Sequence, residues 1–234
     1  AICACMDEFA ESAALWDETD VISFDAGAQA HREWEEWATA KPTTHALDLG
    51  VCVTFMRDTL PADTIICNGA GNFSGWWHRY WRYAGYPSQL APTAGAMGYG
   101  VPAAVAAARR HPDRMVVAVA GDGDFLMNGQ ELATAVQHGC NLLVVVVDNG
   151  AYGTIRMHQE REFPGRVSAT QLANPDFAAL GAAYGAWAAR AENTEQFRSV
   201  LSEAAGRGGV RLIHCIIDVE QLAASGASIS ALRG

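Results

Sequence analysis

The feature that most constrains this chain is a set of short, largely apolar runs, each followed by a longer stretch with helical spacing. The runs lie at residues 64–67, 115–120, 142–147, 186–189 and 211–217. They do not alternate apolar with polar residues, as a strand with one wet face would. Strands that are apolar throughout need cover on both faces, which is the condition of a parallel sheet layered with helices. Helices are expected over 48–60, 97–109, 129–138, 175–184 and 194–205. Two of these have start signals: Asn174 before Pro175 at the first helical position, and Asn193-Thr194 before Glu195. The fold class is therefore α/β, a doubly wound and mostly parallel sheet with helices on both faces. In such sheets ligands bind beyond the carboxyl ends of the strands. The chemistry is expected at 68–75, 121–128 and 148–156, all rich in Gly, Asn and Asp.

Residues 1–43 differ from the rest. Trp16, Trp34 and Trp37 sit among many acids, and the stretch ends at Lys41-Pro42. It reads as the tail of an upstream domain plus a linker helix, with residues 44–234 forming the α/β domain. The start, without methionine and already in mid-pattern, suggests a piece of a longer chain. Residues 1–9 lack a basic stretch and carry Asp7 and Glu8, so they do not read as a signal peptide. The net charge of -10 and the absence of a long basic run argue against nucleic-acid binding. No apolar run is long enough to cross a bilayer. Of the six cysteines only Cys3 and Cys5 lie close together, and no zinc pattern completes them. Buried thiols at Cys67 and Cys215 and a cytoplasmic location fit best.

The run 116–120 ends in Gly121-Asp122-Gly123. Two glycines let the backbone turn sharply and approach a ligand, and amides at a helix start suit a phosphate. Asp122 between them is placed to hold a cation bridging that phosphate. The next run ends in Asp148-Asn149-Gly150-Ala151-Tyr152-Gly153. If the two strands are neighbours, Asn149 and the carbonyls of its turn stand beside Asp122. Together they form the all-oxygen shell that magnesium prefers. Either turn alone is an ordinary strand-to-helix connection. The pair in this context points to a diphosphate and metal site.

Gly121-Asp122-Gly123, followed twenty-four residues on by Asp148-Asn149, resembles the thiamine-diphosphate (ThDP) binding motif. Residues 125–136 (FLMNGQELATAV) and Tyr152-Gly153 are similar to the acetolactate synthase, pyruvate oxidase and benzoylformate decarboxylase group. The resemblance runs from about Pro42 to the C-terminus. It implies that Asp122, Asn149 and the Ala151 carbonyl hold Mg2+, and that the Gly123 and Asp124 amides hold the diphosphate. Residues 93–104 (TAGAMGYGVPAA) resemble the segment that cradles the aminopyrimidine. By that resemblance the Gly95 carbonyl accepts from the pyrimidine amino group, and Met97 is the wedge that bends the cofactor. Core filling is the ordinary role of a lone Met. Residues 68–75 (NGAGNFSG) occupy the place of a second diphosphate loop, with Asn72 as its polar contact.

The chain departs from the family at two places. Asp148 stands where the first Asn of the pair is usual; it either adds charge near the metal or caps the turn, and the cap is favoured. His158 stands where acetolactate synthases place a pocket Trp, which argues against strict acetolactate synthase activity. His158 reads equally as a solvated helix residue or a proton donor.

Two other readings compete. Gly69-Ala70-Gly71 hints at a nicotinamide-binding Rossmann turn, but Ser74 and Leu126 stand where the third glycine would be. The other is one subunit of a split ThDP enzyme. The resemblance implies a carboxylate on the pyrimidine ring, supplied by a separate domain across a subunit interface, and the chain has room for one α/β layer set. A pyrimidine-binding domain, in a longer chain or a partner subunit, is therefore expected, in a dimer or tetramer. An isolated piece would be inactive. The aromatic run 76–83 is either the surface that meets that partner or internal packing. The implied activity is decarboxylation of a 2-oxo acid, or making and breaking carbon–carbon bonds beside a carbonyl, with a 2-oxo acid or aldehyde as substrate.

Overall fold

A computed structural model of the protein describes residues 24–234, so the readings on residues 1–23, Cys3, Cys5 and Trp16 among them, lie outside the described residues. The chain divides after Thr39 into two units. In the first, helix α1 spans Phe24–Trp37. The second begins at Ala40, a few residues earlier than the change in composition suggests. Ala40 packs against the core of this unit, and Asp48 accepts from the Thr43 amide at 2.6 Å while also capping the next helix through Val51.

The second unit opens with α2 (Leu49–Thr59), β1 (Ile65–Asn68), α3 (Ser74–Tyr80) and the two-residue β2 (Gln89–Leu90). It continues with α4 (Gly100–Arg110), β3 (Val116–Gly121), α5 (Asp122–Asn128), α6 (Glu131–Gln137) and β4 (Leu142–Asp148). The last part holds α7 (Gly153–Glu162), α8 (Phe177–Ala183), β5 (Trp187–Ala191), α9 (Thr194–Ala205), β6 (Val210–Ile216) and α10 (Ile229–Arg233). The strands form one sheet in the order β2-β1-β3-β4-β6-β5, with every pairing parallel.

Successive strand residues feed two separate cores. Val117, Val119, Leu143, Val145 and Ile213 pack with α2, α3 and α9 on one face. Val116, Ala118, Val144, Val146 and Leu212 pack with α4, α6 and α8 on the other. Burying an aliphatic side chain of this size contributes roughly 1.5–3 kcal/mol. That outweighs intrinsic strand preference, whose whole scale spans about 1 kcal/mol. An alanine-rich segment such as β3 is therefore a strand because it is covered twice.

Several helices start later than the spacing predicts. Residues 93–99 stay a loop because Gly95 and Gly98 adopt left-handed φ of 66° and 83°. The helix then begins at Gly100, where an added Cβ would stand 2.8 Å from the Gly69 amide nitrogen. At α8 the cap is Asp176, which accepts from Ala178 and Ala179, so the helix starts two residues after Pro175. The expected helix 129–138 is preceded by a separate turn of helix, α5, rising directly from the Gly-Asp-Gly stretch. In the aromatic run, Trp76, Trp77, Tyr80 and Trp81 are buried in the first core, so those side chains pack internally.

Candidate functional site

The carboxyl ends of β1, β3 and β4, with the turn after β6, enclose a cavity of about 230 Å³. Register explains the convergence. Gly121 pairs with Val147, which sets Asp122 beside Asp148 and Asn149, and Asn68 pairs with Val119. Each site residue named from sequence lines this cavity: Asn72 from the loop after β1, Gly95 and Met97 from the loop before α4, Gly121 to Asp124 after β3, and Asn149, Ala151, Tyr152 and Gly153 after β4. Met97 is half-buried at the wall and belongs to neither core. His158 is exposed on α7 and lies outside the lining. Glu131 also lies outside, on α6, where it accepts from the Thr134 hydroxyl.

Two glycines here are required by contact rather than by φ. A Cβ on Gly123 would fall 2.5 Å from the Tyr152 ring. One on Gly153 would fall 2.8 Å from Asn149 Nδ2. The first contact packs the turn after β3 against the turn after β4, and the second packs the later turn upon itself.

Asp122 is buried, and its donors are neutral: Gly123 N at 2.9 Å on Oδ1 and Asn174 Nδ2 at 2.7 Å on Oδ2. Burial pushes its pKa up to about 6, against those hydrogen bonds, and the neighbouring Asp148 adds to the rise. Asp124 is also raised to about 6 by burial. Its Oδ1 accepts from the Gly98 amide at 2.7 Å and the Ala70 amide at 3.3 Å, tying three cavity loops together. Asp148 is under the same burial pressure, but His214, the Gly150 amide and Asn174 hold it below the ordinary carboxylate range. Its contact with Gly150 N at 2.9 Å is the turn cap favoured from sequence. Its contact with His214 Nε2 at 2.8 Å was not foreseen.

A divalent cation fits this donor set. A buried carboxylate whose protein donors are all neutral lacks a positive partner, and an isolated buried charge is costly. Asn149 and Ala151 line the same cavity, with Asn149 Oδ1 accepting from the Ala151 amide at 3.1 Å, and their neutral oxygens would complete the hard, all-oxygen set that such a cation prefers. Among the described residues no cluster of three His, Cys, Asp or Glu offers a rival metal site. Asn72 is less available as a phosphate contact than its position suggests, because its Nδ2 donates to the Leu222 carbonyl at 2.8 Å.

Sequence reasoning missed the fourth side of the cavity. Ile217, Gln221 and Leu222 follow β6 and close it. This segment leads into α10, which is fastened to α7 by one buried carboxylate. Glu160 accepts from Arg156 Nε at 2.7 Å, from Arg233 at 2.8 and 2.9 Å, and from the Gly165 amide at 2.8 Å. The Arg233 hydrogen bonds, with the Gly165 amide, hold its carboxyl down to about 2 from an ordinary 4.5. The folded value is depressed, so the stabilisation is complete above about 4.5 and fades as pH falls toward 2. Glu160→Gln should therefore melt at a lower temperature than wild type near neutral pH. That gap should shrink between pH 4.5 and 2 in thermal melts, whereas a constant gap would mean the charge is not what holds α10.

A cavity at the carboxyl ends of the strands of a parallel α/β sheet is where such domains take their ligands. The family described as "Thiamine pyrophosphate enzyme, C-terminal TPP binding domain" matches residues 69–215. The chain is 33% identical over 165 residues to the acetolactate synthase isozyme 2 large subunit of Escherichia coli (strain K12), a match covering 70% of this chain and 30% of that protein. It is 32% identical over 157 residues to 3D-(3,5/4)-trihydroxycyclohexane-1,2-dione hydrolase of Bacillus subtilis (strain 168), covering 64% and 24% respectively. Among solved structures, the Rhodococcus jostii RHA1 thiamine diphosphate-dependent 4-hydroxybenzoylformate decarboxylase superposes with a TM-score of 0.71 at 25% identity, covering 76% of this chain and 34% of the other. The chain belongs to the ThDP-binding C-terminal domain family. The matched part spans under a third of the length of these two relatives.

Proposed function

We propose that this chain forms the ThDP-diphosphate and magnesium site of an acetolactate synthase-like enzyme acting on a 2-oxo acid or aldehyde. The observation that carries the reading is Asp122, a buried carboxylate without a cationic donor, in a cavity that Asn149 and Ala151 also line. When bound, ThDP supplies the carbon nucleophile and electron sink for decarboxylation or for carbon–carbon bond change next to a carbonyl. The chain's part is anchorage. Asp122, Asn149 and the Ala151 carbonyl would hold the metal, and the Gly123 and Asp124 amides would hold the diphosphate. Gly95 and Met97 would face the pyrimidine and its bend.

The pyrimidine's activating carboxylate is assigned to a separate domain or a second subunit in a homo-oligomer. The cavity's own acids are Asp122 and Asp124, and both are engaged: Asp122 accepts from Gly123 and Asn174, and Asp124 accepts from Gly98 and Ala70. Among the described residues no helix is long and apolar enough to cross a membrane. The free, buried thiols of Cys52, Cys67, Cys140 and Cys215 fit a reducing cytoplasm.

The test is selective stabilisation. A ligand that binds only the folded state at a hundred times its Kd adds about 2.7 kcal/mol. ThDP with Mg2+ should raise the melting temperature of the enzyme, while NAD and NADP should not. A shift with a nicotinamide cofactor alone would reverse the assignment.

A further inference from the structure

We propose that Asn174 is a positioning residue for the magnesium site, clamping the carboxylate of Asp122 to that of Asp148 while His214 secures Asp148 from the next strand. The inference rests on the role proposed above for Asp122 and goes beyond it. Asn174 belongs to neither strand-end motif and does not line the cavity. It is 52 residues from Asp122 in sequence. Yet its single amide nitrogen donates at 2.7 Å to Asp122 Oδ2 and at 2.7 Å to Asp148 Oδ1. An amide nitrogen carries two N–H groups, and here each has a carboxylate acceptor. The orientation of the amide is fixed by chemistry, because its oxygen could not face either carboxylate. That oxygen is buried without a hydrogen-bond partner, so Asn174 serves the two acids at its own cost.

The rest of the network explains how Asn174 stays in place. Asp176, two residues on, caps α8 through Ala178 and Ala179 and lies 3.7 Å from His214 Nδ1. Phe177, the first residue of α8, meets the His214 ring edge to face at 5.1 Å and meets Phe125 of α5 at 5.3 Å. His214 Nε2 reaches Asp148 Oδ2 at 2.8 Å. Both carboxylates are therefore held by groups outside the cavity lining, while Asp122 itself lines the cavity. The Asp at position 148, where the family usually has Asn, is matched by a His on the adjacent strand. A second acid so close to a metal ligand would otherwise repel it.

The experiment measures the Mg2+ concentration that half-saturates ThDP binding in the full-length protein, read from tryptophan fluorescence, since Trp76 lines the cavity. Groups that orient metal ligands typically change metal affinity by roughly 10–100-fold when removed. Asn174→Ala should raise the half-saturating Mg2+ by about that factor. Adding Asp148→Asn in that background should recover part of the loss, because the new amide can donate to Asp122 where Asn174 did. A purely structural role for Asn174 at the start of α8 predicts no such rescue. Asp122→Ala is run beside them. If it loses magnesium-dependent binding while Asn174→Ala equals wild type, or while Asp148→Asn restores nothing, the clamp is wrong and the metal site stands. If Asp122→Ala keeps wild-type magnesium dependence, the metal site falls and the clamp falls with it.

Discussion

Asp122→Ala is expected to abolish magnesium-dependent ThDP binding and to leave the apo fold as stable as wild type, or more so. The two halves of this expectation have the same cause. Asp122 is buried with neutral donors only, so its charge costs folding free energy until a cation arrives. Removing it relieves that cost and deletes the one anionic ligand of the proposed metal set. Partners that merely orient ligands are worth roughly 10–100-fold in metal affinity, so loss of the carboxylate itself should cost at least the upper figure. Asn149→Ala should be milder, because a neutral oxygen is lost without a charge. Calorimetric titration of ThDP with and without Mg2+, beside apo melts of each variant, checks both halves. A variant that binds ThDP with wild-type metal dependence would remove Asp122 from the site. One that binds nothing because it no longer folds would contradict the burial argument instead.

The parts of this site that were legible in sequence are those fixed by local chemistry. Gly123 and Gly153 mark turns whose backbones must admit a neighbouring side chain, and such glycines are visible as punctuation after apolar runs. Strands β1, β3 and β4 were legible because double cover makes them almost continuously apolar, and the paired turns because β3 and β4 are sheet neighbours, whereas the two-residue edge strand β2 carries no such signal. What escaped was set by distant contacts. Asn174 looks like a helix-start residue before Pro175, and nothing nearby indicates that its amide bridges two acids. Asp124 was valued for its backbone amide, whereas its side chain ties the Ala70 and Gly98 loops. An added Cβ on Gly69 would overlap that carboxylate at 1.9 Å, so this glycine leaves room for the tie. Gln221 and Leu222 follow a strand end with no glycine or motif to mark them, and only the sheet order brings them to the cavity. His214 reads, with Arg211, as a polar residue in an otherwise apolar strand. Its partner, Asp148, becomes visible only when β4 and β6 are known to be adjacent.

The 234-residue chain by itself is expected to bind ThDP weakly and to turn over no 2-oxo acid. ThDP chemistry needs a carboxylate at the pyrimidine, and the acids lining this cavity are Asp122 and Asp124. Asp122 is committed to the proposed metal, and Asp124 is turned onto the Gly98 and Ala70 amides. Glu131 lies outside the lining and is bonded to Thr134. His158 is exposed and also outside it, so neither can take over. General acid–base assistance is worth roughly 10²–10⁴-fold in rate, a deficit that a sensitive assay would register at once. Adding a polypeptide that carries a pyrimidine-binding domain should restore both tight binding and turnover. Decarboxylation of pyruvate or benzoylformate by the chain alone, at an ordinary enzymatic rate, would mean that a carboxylate within these residues reaches the pyrimidine. In that case Asp124 would be the first to test, because freeing it from Gly98 and Ala70 would leave it the nearest uncommitted acid in the cavity.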